Sequence, residues 1–430
     1  MSLFAQVGRV SDNVRLRQRS GTTVELRVQV SAIIARVRRE GDTALAAMAQ
    51  ELDGLTIDPS ALEVSRGRWE RALASTPPEL RRAMERSARN IRAASEAFMP
   101  TLCEVETEPG VVVGKRPDPL ERVGVYVPGG RASYPSSLLM GAIPARVAGV
   151  RDVIVCTPGA TAATLAVAAI AGVDRVFEIG GAGAIAALAY GTATVPAVDK
   201  IVGPGNAYVT EAKLQVLGEC AIDSPAGPSE LLVIMDDSAD VAAVARELIA
   251  QAEHDPRAVV AAVAIEGDGA EVSARLMETV RHLVRADAQG PDVIARRDIV
   301  LAALRSGGAV LSARCVDEAI RFANAMAAEH VLVATREPDC VLAQLRNAGT
   351  VFVGVASSVT FGDYMTGANH VLPTSGFARS YSGLSVLDFL RWTSYQRVTR
   401  DAAARLAEDV ALFAEAEALY GHATAARSWG

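Results

Sequence analysis

Histidine is scarce in this sequence, and four of its five histidines stand beside a carboxylate, a carboxamide or a glycine-rich turn. In the segment QAEH, Gln251 and His254 are three residues apart, so on a helix they would share a face and could meet one metal ion. This spacing is a weak pattern by itself, and a polar helix end stopped by Asp255-Pro256 is the simpler interpretation. The segment is therefore a candidate metal site that needs support from other residues.

Glu329 and His330 are adjacent in AAEHVLV, where a predicted helix gives way to a predicted strand. Neighbouring residues at such a junction can both reach a cleft and offer two groups for proton transfer. Imidazole titrates at about 6.5 and suits a base at neutral pH, while burial can raise the pKa of a carboxyl group. A polar strand edge accounts for the pair equally well.

Two further segments carry side chains of the ligand type. The stretch GDYMTGANHVLPTSG (362–376) is rich in Gly, Asn and Pro, which predicts a structured loop, and it contains Asp363 and His370. Function concentrates in loops held on a scaffold, although a plain surface turn fits the composition as well. The segment EALYGH places Glu417 and His422 near the C-terminus, where chain ends are usually frayed. A metal-ligand role for His422 would require the tail to dock, for instance on a second subunit.

The elements that position these residues follow from short apolar runs that alternate with alanine-rich helical stretches between Val123 and Met235. This alternation predicts a parallel sheet with crossover helices, and a second α/β region follows it. Ligands of such sheets bind beyond the carboxyl ends of the strands, where small residues let them approach the backbone. Four strand ends run into Gly/Pro loops and together indicate a nucleotide-sized ligand: PGG at 128–130, PGA at 158–160, GGAG at 180–183 and GPGN at 203–206.

One of these loops nominally fits the dinucleotide pattern Gly-x-Gly-x-x-Ala, through Gly181, Gly183 and Ala186. A Rossmann fingerprint also requires an acidic residue at the end of the following strand, whereas Asp199 here precedes KIVG. The match is therefore not an ordinary Rossmann fingerprint.

The bulk composition restricts the class of protein. The 430 residues suffice for two or three domains, and half of them are apolar. The net charge of −7 is spread along the chain without a basic cluster, so neither nucleic acid nor a membrane surface is expected as a partner. The N-terminus lacks an apolar signal region, and the five cysteines are far apart without a CxxC pair, which favours reduced thiols in a cytoplasmic protein.

Several longer segments resemble the histidinol dehydrogenase family, in the family's order: VGVYVPGG, YPSSLLMGAIPA, GGAGAIAALAYGT, KIVGPGNAYVTEAK, AIDSPAGPSE, QAEHDP, AAEHVLV, GDYMTGANHVLPTSG and EALYGHA. The resemblance implies an α/β fold with two Rossmann-like parallel-sheet domains, a small N-terminal arm and a helical C-terminal tail. The implied boundaries are an arm at 1–25, a first domain with the zinc and catalytic residues at 26–122 and 231–384, a second domain on the NAD side at 123–230, and a dimerisation tail at 385–430.

The same resemblance implies an oxidoreductase of histidine biosynthesis that uses zinc and NAD to convert L-histidinol to L-histidine in two hydride transfers, through bound L-histidinal. One zinc ion per subunit would be held by Gln251, His254, Asp363 and His422, the last supplied by the partner of an intertwined homodimer. His330 would be the base of the first oxidation, and Glu329 would activate water for the second. The implied substrate-binding positions are Ser229, Gln251, His254, His330, Asp363, His370, Glu417 and His422, and the implied cofactor-binding positions are Tyr126, Gly183 and Asn206.

Gly183 departs from the family pattern, which usually has Gln at this position, so one hydrogen bond to the cofactor is expected to be lost or replaced. Two other hypotheses stay open: a zinc-dependent dehydrogenase of another small polar alcohol, and a zinc hydrolase or non-catalytic homologue. The retained Glu417 and Tyr364 favour histidinol. The four glycine-rich strand ends argue against hydrolysis, and the intact Glu329-His330 pair argues against a non-catalytic role.

Overall fold

The computed structural model describes residues 3–12, 23–129, 133–267, 269–285 and 295–429. Gly130, the last residue of the predicted PGG loop, lies outside these ranges. The strands within them form a six-stranded parallel sheet, a five-stranded parallel sheet and a three-stranded antiparallel sheet. In this part of the chain no helix has both the length and the apolar character needed to cross a membrane.

The N-terminal part of the chain supplies one strand to the six-stranded sheet, then helices, then a β-hairpin. Its described elements are β1 (Gln6–Arg9), α1 (Val24–Glu40), α2 (Asp42–Asp53), α3 (Arg66–Ser75), α4 (Pro78–Ala97), β2 (Cys103–Glu108) and β3 (Val111–Pro119). Helix α1 begins after Thr23, whose hydroxyl oxygen accepts the Leu26 N–H at 3.2 Å and so caps the helix.

The five-stranded sheet has the spatial order β6-β5-β4-β7-β8, and all of its neighbours are parallel. Its elements are β4 (Arg122–Tyr126), α5 (Pro135–Ala148), β5 (Asp152–Cys156), α6 (Ala162–Ala171), β6 (Arg175–Phe177), α7 (Gly181–Tyr190), β7 (Lys200–Val202), α8 (Ala207–Gln215) and β8 (Ala221–Ile222). The chain order reverses between β4 and β7, as in doubly wound sheets, whose ligands bind at this switch point. The predicted parallel sheet with crossover helices is confirmed.

The six-stranded sheet repeats this topology, with the order β1-β11-β10-β9-β12-β13 and parallel pairing throughout. Its further elements are β9 (Glu230–Met235), α9 (Val241–Ala252), β10 (Val259–Ile265), α10 (Glu271–Leu283), α11 (Arg297–Gly307), β11 (Gly308–Ala313), α12 (Val316–Met326), β12 (His330–Ala334), α13 (Pro338–Leu342), β13 (Thr350–Val353) and α14 (Val359–Tyr364). Helices cover both faces, because Leu231 and Val233 pack with α9, α10 and α11, while Leu232 and Ile234 pack with α12. The expected pair of Rossmann-like domains is confirmed.

Two N-terminal features differ from the sequence-based interpretation. The arm predicted at 1–25 contains strand β1, which pairs with β11 at the edge of the six-stranded sheet. The boundaries drawn from the sequence group 26–122 with this sheet, but α1 to α4 pack on the helices of the five-stranded sheet. The reason is visible in α1, whose buried Val30, Ile34 and Val37 share an apolar core with α7 and α8.

The C-terminal part begins with strand β14 (Leu390–Val398), followed by the helices α15 (Arg400–Ala416) and α16 (Tyr420–Arg427). Strand β14 pairs antiparallel with β3, which pairs with β2, so this segment returns to the N-terminal hairpin. The helical tail is interrupted between α15 and α16, where Ala418 takes a left-handed conformation with φ of 60°. The helical tail is confirmed, and the antiparallel sheet is an addition that the sequence did not predict.

Candidate active site

Glu329 and His330 lie at the amino end of β12, beside the amino end of β9, and both side chains are buried. The Glu329 carboxylate (Oε2) accepts the backbone N–H of Glu230 at 2.8 Å. In return, the Glu230 carboxylate accepts the backbone N–H of Glu329 at 3.3 Å. This reciprocal pair of hydrogen bonds ties the residue before β12 to the first residue of β9.

The ring of His330 is held in one orientation by the backbone. Its Nδ1 lies 3.1 Å from the Glu230 carbonyl oxygen, which can only accept, so Nδ1 carries a proton. The neutral ring therefore has its lone pair on Nε2. Within the described ranges this buried Nε2 has no hydrogen-bond partner, and the Asp363 carboxylate lies 3.9 Å from it. His330 thus presents an unused proton acceptor.

The charges around His330 favour its cationic form. Burial lowers the pKa of the imidazole, but the carboxylates of Glu329 and Asp363 outweigh burial and raise the pKa to about 9. The Glu329 Oε2 lies 3.5 Å from Nδ1. With this pKa the imidazole is mainly cationic near neutral pH, so His330 accepts a proton only after it has lost one. A metal ion bound to Asp363 would offset the charge of that carboxylate and lower the pKa of His330 again.

His370 bridges the loop 362–376 and the five-stranded domain. Its Nδ1 donates to the Asp363 carbonyl oxygen at 2.8 Å, and its Nε2 accepts the Ser137 hydroxyl at 3.1 Å. Burial lowers the pKa of His370, which keeps the ring neutral in this arrangement. Because Ser137 lies in the first turn of α5, the hydrogen bond fixes the loop against the carboxyl edge of the five-stranded sheet.

The catalytic candidates therefore lie between opposite edges of the two parallel sheets. Helix α5 starts at the carboxyl edge of the five-stranded sheet, whereas Glu230 and His330 begin strands at the amino edge of the six-stranded sheet. Two other contacts tie loops to this region: the Thr210 hydroxyl of α8 donates to the Ala226 carbonyl oxygen, in the connection into β9, at 2.8 Å, and the Ser375 N–H of the loop 362–376 donates to the Glu230 carboxylate at 3.0 Å. We call the region between these two edges the candidate cleft, with the glycine loops of the five-stranded sheet as one wall and the Glu329–His330 pair as the other.

The predicted zinc residues of this chain lie at neighbouring helix ends. Gln251 is in the last turn of α9 with 3% of its surface exposed, and His254 lies two residues beyond the end of that helix. Asp363 is near the end of α14, which α9 contacts. Burial, and then the charges of Asp363 and Glu253, raise the pKa of Tyr364, so these two helix ends are close.

The side chains at these helix ends fit a metal by their chemistry. No hydrogen bond to the Gln251 amide group is found in the described part of the chain, although that residue is buried. The described residues also contain no group of three His, Cys, Asp or Glu side chains arranged to hold a metal ion. The predicted set supplies only His254 and Asp363 of those types from its own subunit, because Gln251 is a carboxamide. A metal site here requires a further ligand.

The other predicted substrate positions are divided between the cleft and the tail. Ser229 directly precedes β9, and its carbonyl oxygen accepts the Val259 N–H at 3.0 Å. Ser229 therefore lies at the amino edge of the six-stranded sheet, where Glu329 and His330 also lie. Glu417 and His422 are exposed on the C-terminal helices. Among the described residues neither side chain contacts the Glu329–His330 pair, so a single chain does not bring the tail into the cleft.

The predicted cofactor positions all lie at the carboxyl edge of the five-stranded sheet. Tyr126 is buried, and its hydroxyl oxygen accepts the Gly181 N–H at 3.1 Å, while burial raises its pKa to about 12. Gly183 is buried in α7, where a Cβ atom would lie 3.0 Å from the Met48 sulfur. Asn206 is exposed, and its side-chain oxygen caps α8 by accepting the backbone N–H groups of the second and third residues after it.

Two residues of this site were not singled out from the sequence, namely Glu230 and Ser137. Glu230 did leave a signal, because it is a carboxylate that begins the otherwise apolar strand ELLVIM. A charge in a buried strand requires partners, which Glu329 and Ser375 provide. Ser137 left no comparable signal, since a serine in the first turn of a helix is common.

Comparisons with known proteins agree with this arrangement. The family model described as histidinol dehydrogenase matches residues 16–428. The histidinol dehydrogenase of Methanosarcina mazei is 45% identical over 99% of this chain and 97% of its own. That of Halobacterium salinarum is 46% identical over 95% of this chain and 94% of its own.

A solved structure is similar along its whole length. The crystal structure of histidinol dehydrogenase from Elizabethkingia anophelis superposes with a TM-score of 0.93 at 30% identity, and the match covers 100% of this chain and 98% of that one. The resemblance inferred from the sequence motifs is confirmed. The chain belongs to the histidinol dehydrogenase family and is an NAD-dependent oxidoreductase.

Proposed function

We propose that this enzyme oxidises L-histidinol to L-histidine as part of histidine biosynthesis, with two NAD⁺, one water molecule and one zinc ion per subunit. The observation that carries the proposal is the buried His330 Nε2, which has no hydrogen-bond partner in the described residues and stands beside Glu329 and Asp363. The choice of L-histidinol as the substrate is supported by the relatives that are named histidinol dehydrogenases.

In the first oxidation, His330 is the base. Because Nδ1 is committed to the Glu230 carbonyl oxygen, Nε2 accepts the proton of the substrate hydroxyl. Bound NAD⁺ would supply the hydride acceptor for this step. The alcohol carbon loses two electrons and two hydrogens and becomes an aldehyde. The nearby carboxylates of Glu329 and Asp363 stabilise the resulting imidazolium.

In the second oxidation, Glu329 accepts a proton from the water molecule that adds to the aldehyde carbon. Oxidation of the hydrate to the carboxylic acid would use a second bound NAD⁺ as the hydride acceptor. Glu329 is buried and its Oε2 is oriented by the Glu230 N–H, so the carboxylate is held in place before the reaction starts. Keeping the aldehyde bound between the steps would limit its release.

Zinc would be held by Gln251, His254 and Asp363 of one subunit, together with His422 of the partner subunit. A carboxamide, two imidazoles and a carboxylate suit zinc without thiolates, and the buried amide of Gln251 fits such a role. When bound, zinc would supply a Lewis acid for nitrogen atoms of the substrate. Ser229, His370 and Glu417 complete the proposed substrate contacts.

The tail that carries Glu417 and His422 supports a homodimer in which the tails are exchanged. Large apolar side chains of this tail are exposed in the single chain: Leu412, Phe413, Leu419 and Tyr420. Exposed apolar surface of this kind is usually covered by a partner. A second copy of the chain would cover it and bring the missing ligand to the zinc site, in a cytoplasmic enzyme.

NAD⁺ is proposed to bind at the carboxyl edge of the five-stranded sheet, near Tyr126, Gly183 and Asn206. Glycine loops follow the strands there, at the switch point between β4 and β7. Since Gly183 has no side chain and is covered by Met48, any contact at this position comes from the backbone or a neighbouring group.

The deciding experiment measures the NADH formed per molecule of L-histidinol by zinc-loaded protein with excess NAD⁺. Two NADH are expected, whereas one would leave the aldehyde as product. A Glu329→Gln variant should slow the second oxidation more than the first, and an equal loss in both would contradict the role of Glu329. No NADH with histidinol, together with turnover of another small alcohol, would overturn the substrate assignment.

A further inference from the structure

A buried ion pair lies behind the GPGN loop, and the proposed chemistry does not use it. Lys213 of α8 and Asp223, which follows β8, pair through side chains of which only 3% and 6% are exposed. Taking two charges out of water is costly, and apolar residues of similar volume often stabilise a fold equally well. Stability alone is therefore a weak reason for this pair.

The pair holds the backbone of Gly203 from both sides. The Asp223 carboxylate (Oδ2) accepts the Gly203 N–H at 2.7 Å, and the Lys213 ammonium donates to the Gly203 carbonyl oxygen at 3.0 Å. Gly203 has φ of 116°, and a Cβ atom there would lie 2.1 Å from the Tyr126 carbonyl oxygen. This position thus admits only glycine, and both of its backbone polar groups are fixed by the ion pair.

The fixed residue starts a loop at the switch point of the five-stranded sheet. Gly203 directly follows β7 and opens the segment 203–206, which ends at the exposed cap residue Asn206. Asp223 starts the segment 223–229, which leaves this sheet and enters β9 at the catalytic edge. The Lys213–Asp223 ion pair therefore fixes the start of the 203–206 loop at Gly203. Through Asp223 it also fixes the start of the segment 223–229, which leads to β9.

We propose that Lys213 and Asp223 are positioning residues that fix the 203–206 loop in the conformation that binds the pyridine dinucleotide. This role rests on the proposed function, because it requires NAD⁺ at that loop. The pair acts through the backbone of Gly203. Loss of the pair weakens dinucleotide binding and leaves the zinc ligands and the Glu329–His330 pair in place.

The test uses zinc-loaded protein carrying both Lys213→Met and Asp223→Asn. This double variant has no buried charge, so it avoids the unpaired carboxylate that Lys213→Met alone would leave, while the Gly203 carbonyl oxygen still loses its charged donor. The KM for NAD⁺ is expected to rise about tenfold, the effect of one charge-assisted hydrogen bond. The zinc content and the KM for histidinol should stay within about twofold of the wild type.

A matched control is available at the other end of β7. Lys200 donates to the Asp388 carbonyl oxygen at 2.9 Å and pairs with the Asp388 carboxylate at 3.1 Å, at the amino edge of the sheet. The double variant Lys200→Met and Asp388→Asn thus removes a similar ion pair and carbonyl contact at the opposite end of β7 without touching the loop. Its KM for NAD⁺ should equal that of the wild type, whatever its melting temperature.

Two results would overturn the inference, and they differ in what else they overturn. If the double variant loses thermal stability but keeps the wild-type KM for NAD⁺, the pair is structural only, and the proposed function still stands. If calorimetric titration shows that the zinc-loaded wild type does not bind NAD⁺ at all, the proposed function fails and the positioning role fails with it.

Discussion

At the scale of single residues, Glu230 holds the acid–base pair together although it is not part of that pair. It is 2% exposed, and its two carboxylate oxygens accept backbone N–H groups from Glu329 and Ser375. Its backbone carbonyl oxygen also fixes the Nδ1 proton of His330. A buried carboxylate is tolerated when hydrogen bonds to N–H groups replace its water, and here they join three segments of the cleft.

Glu230→Gln should therefore slow catalysis. One accepting oxygen becomes an NH₂ group that faces a backbone N–H, so the segment beneath Glu329 must shift. We expect kcat to fall by about ten- to a hundredfold, because small displacements of catalytic groups have effects of this size. Initial rates of NADH formation measure the change.

The control for this variant is Glu266→Gln. Glu266 also accepts backbone N–H groups, from Val272 at 2.9 Å and Ser273 at 3.1 Å, but it follows β10 away from the cleft. It should lower the melting temperature without changing kcat. Equal rates for both variants and the wild type would show that the Glu230 carboxylate does not position the pair.

Cysteine reactivity gives a second test at this scale. Burial raises the pKa of the thiols of Cys156 and Cys220, so little thiolate forms there near neutral pH. Cys103, Cys315 and Cys340 are exposed. Ellman's reagent at about pH 8, below the usual thiol pKa of about 8.5, should therefore label three thiols in the native protein and all five after unfolding. Labelling of five thiols per chain in the native protein would contradict the burial of Cys156 and Cys220.

At the scale of elements, the strands and helices of the two parallel sheets were predictable because their apolar runs are continuous and end in glycine loops. Other elements were not. Strand β2 reads CEVETE and is exposed throughout, so no apolar period reveals it. The stripe Val30, Ile34 and Val37 shows which face of α1 is buried, but a stripe of this kind does not specify the sheet that it packs on.

The contact between α7 and α2 leads to a prediction about position 183. A side chain there would meet the Met48 sulfur at 3.0 Å and a Leu45 methyl carbon at 3.5 Å. Gly183→Gln should lower the free energy of unfolding by about 1–3 kcal/mol, as expected for overpacking. Urea denaturation measures the change.

A double-mutant cycle with Met48→Ala shows whether this contact is the cause. The combined variant should be more stable than the sum of the two single effects, because the alanine makes room for the new side chain. Additive losses would mean that the strain arises elsewhere in α7.

At the scale of the whole molecule, the six-stranded sheet repeats the strand order of the five-stranded sheet and adds β1 at one side. The loop 362–376 links them, because His370 contacts Ser137 at the carboxyl edge of the five-stranded sheet and Ser375 contacts Glu230 at the amino edge of the six-stranded sheet. The residue types of the candidate site could be read from QAEH, AAEHVLV and the 362–376 loop. Their convergence was not, because it depends on contacts such as Ser137 with His370 that span 233 positions of the chain. The position of the tail in the assembly is still a prediction, since Glu417 and His422 are exposed in the single chain.

Subunit mixing tests the exchanged tail directly. Asp363→Ala and His422→Asn should each abolish zinc retention and activity. If His422 serves the partner's site, a mixed dimer has one site that lacks both ligands and one that lacks neither. Random reassociation of equal amounts, after dissociation in mild denaturant, should then restore about a quarter of the wild-type activity and zinc content, because half of the dimers are mixed and each has one intact site. If His422 instead serves its own subunit, every site in the mixture lacks one ligand and no activity returns.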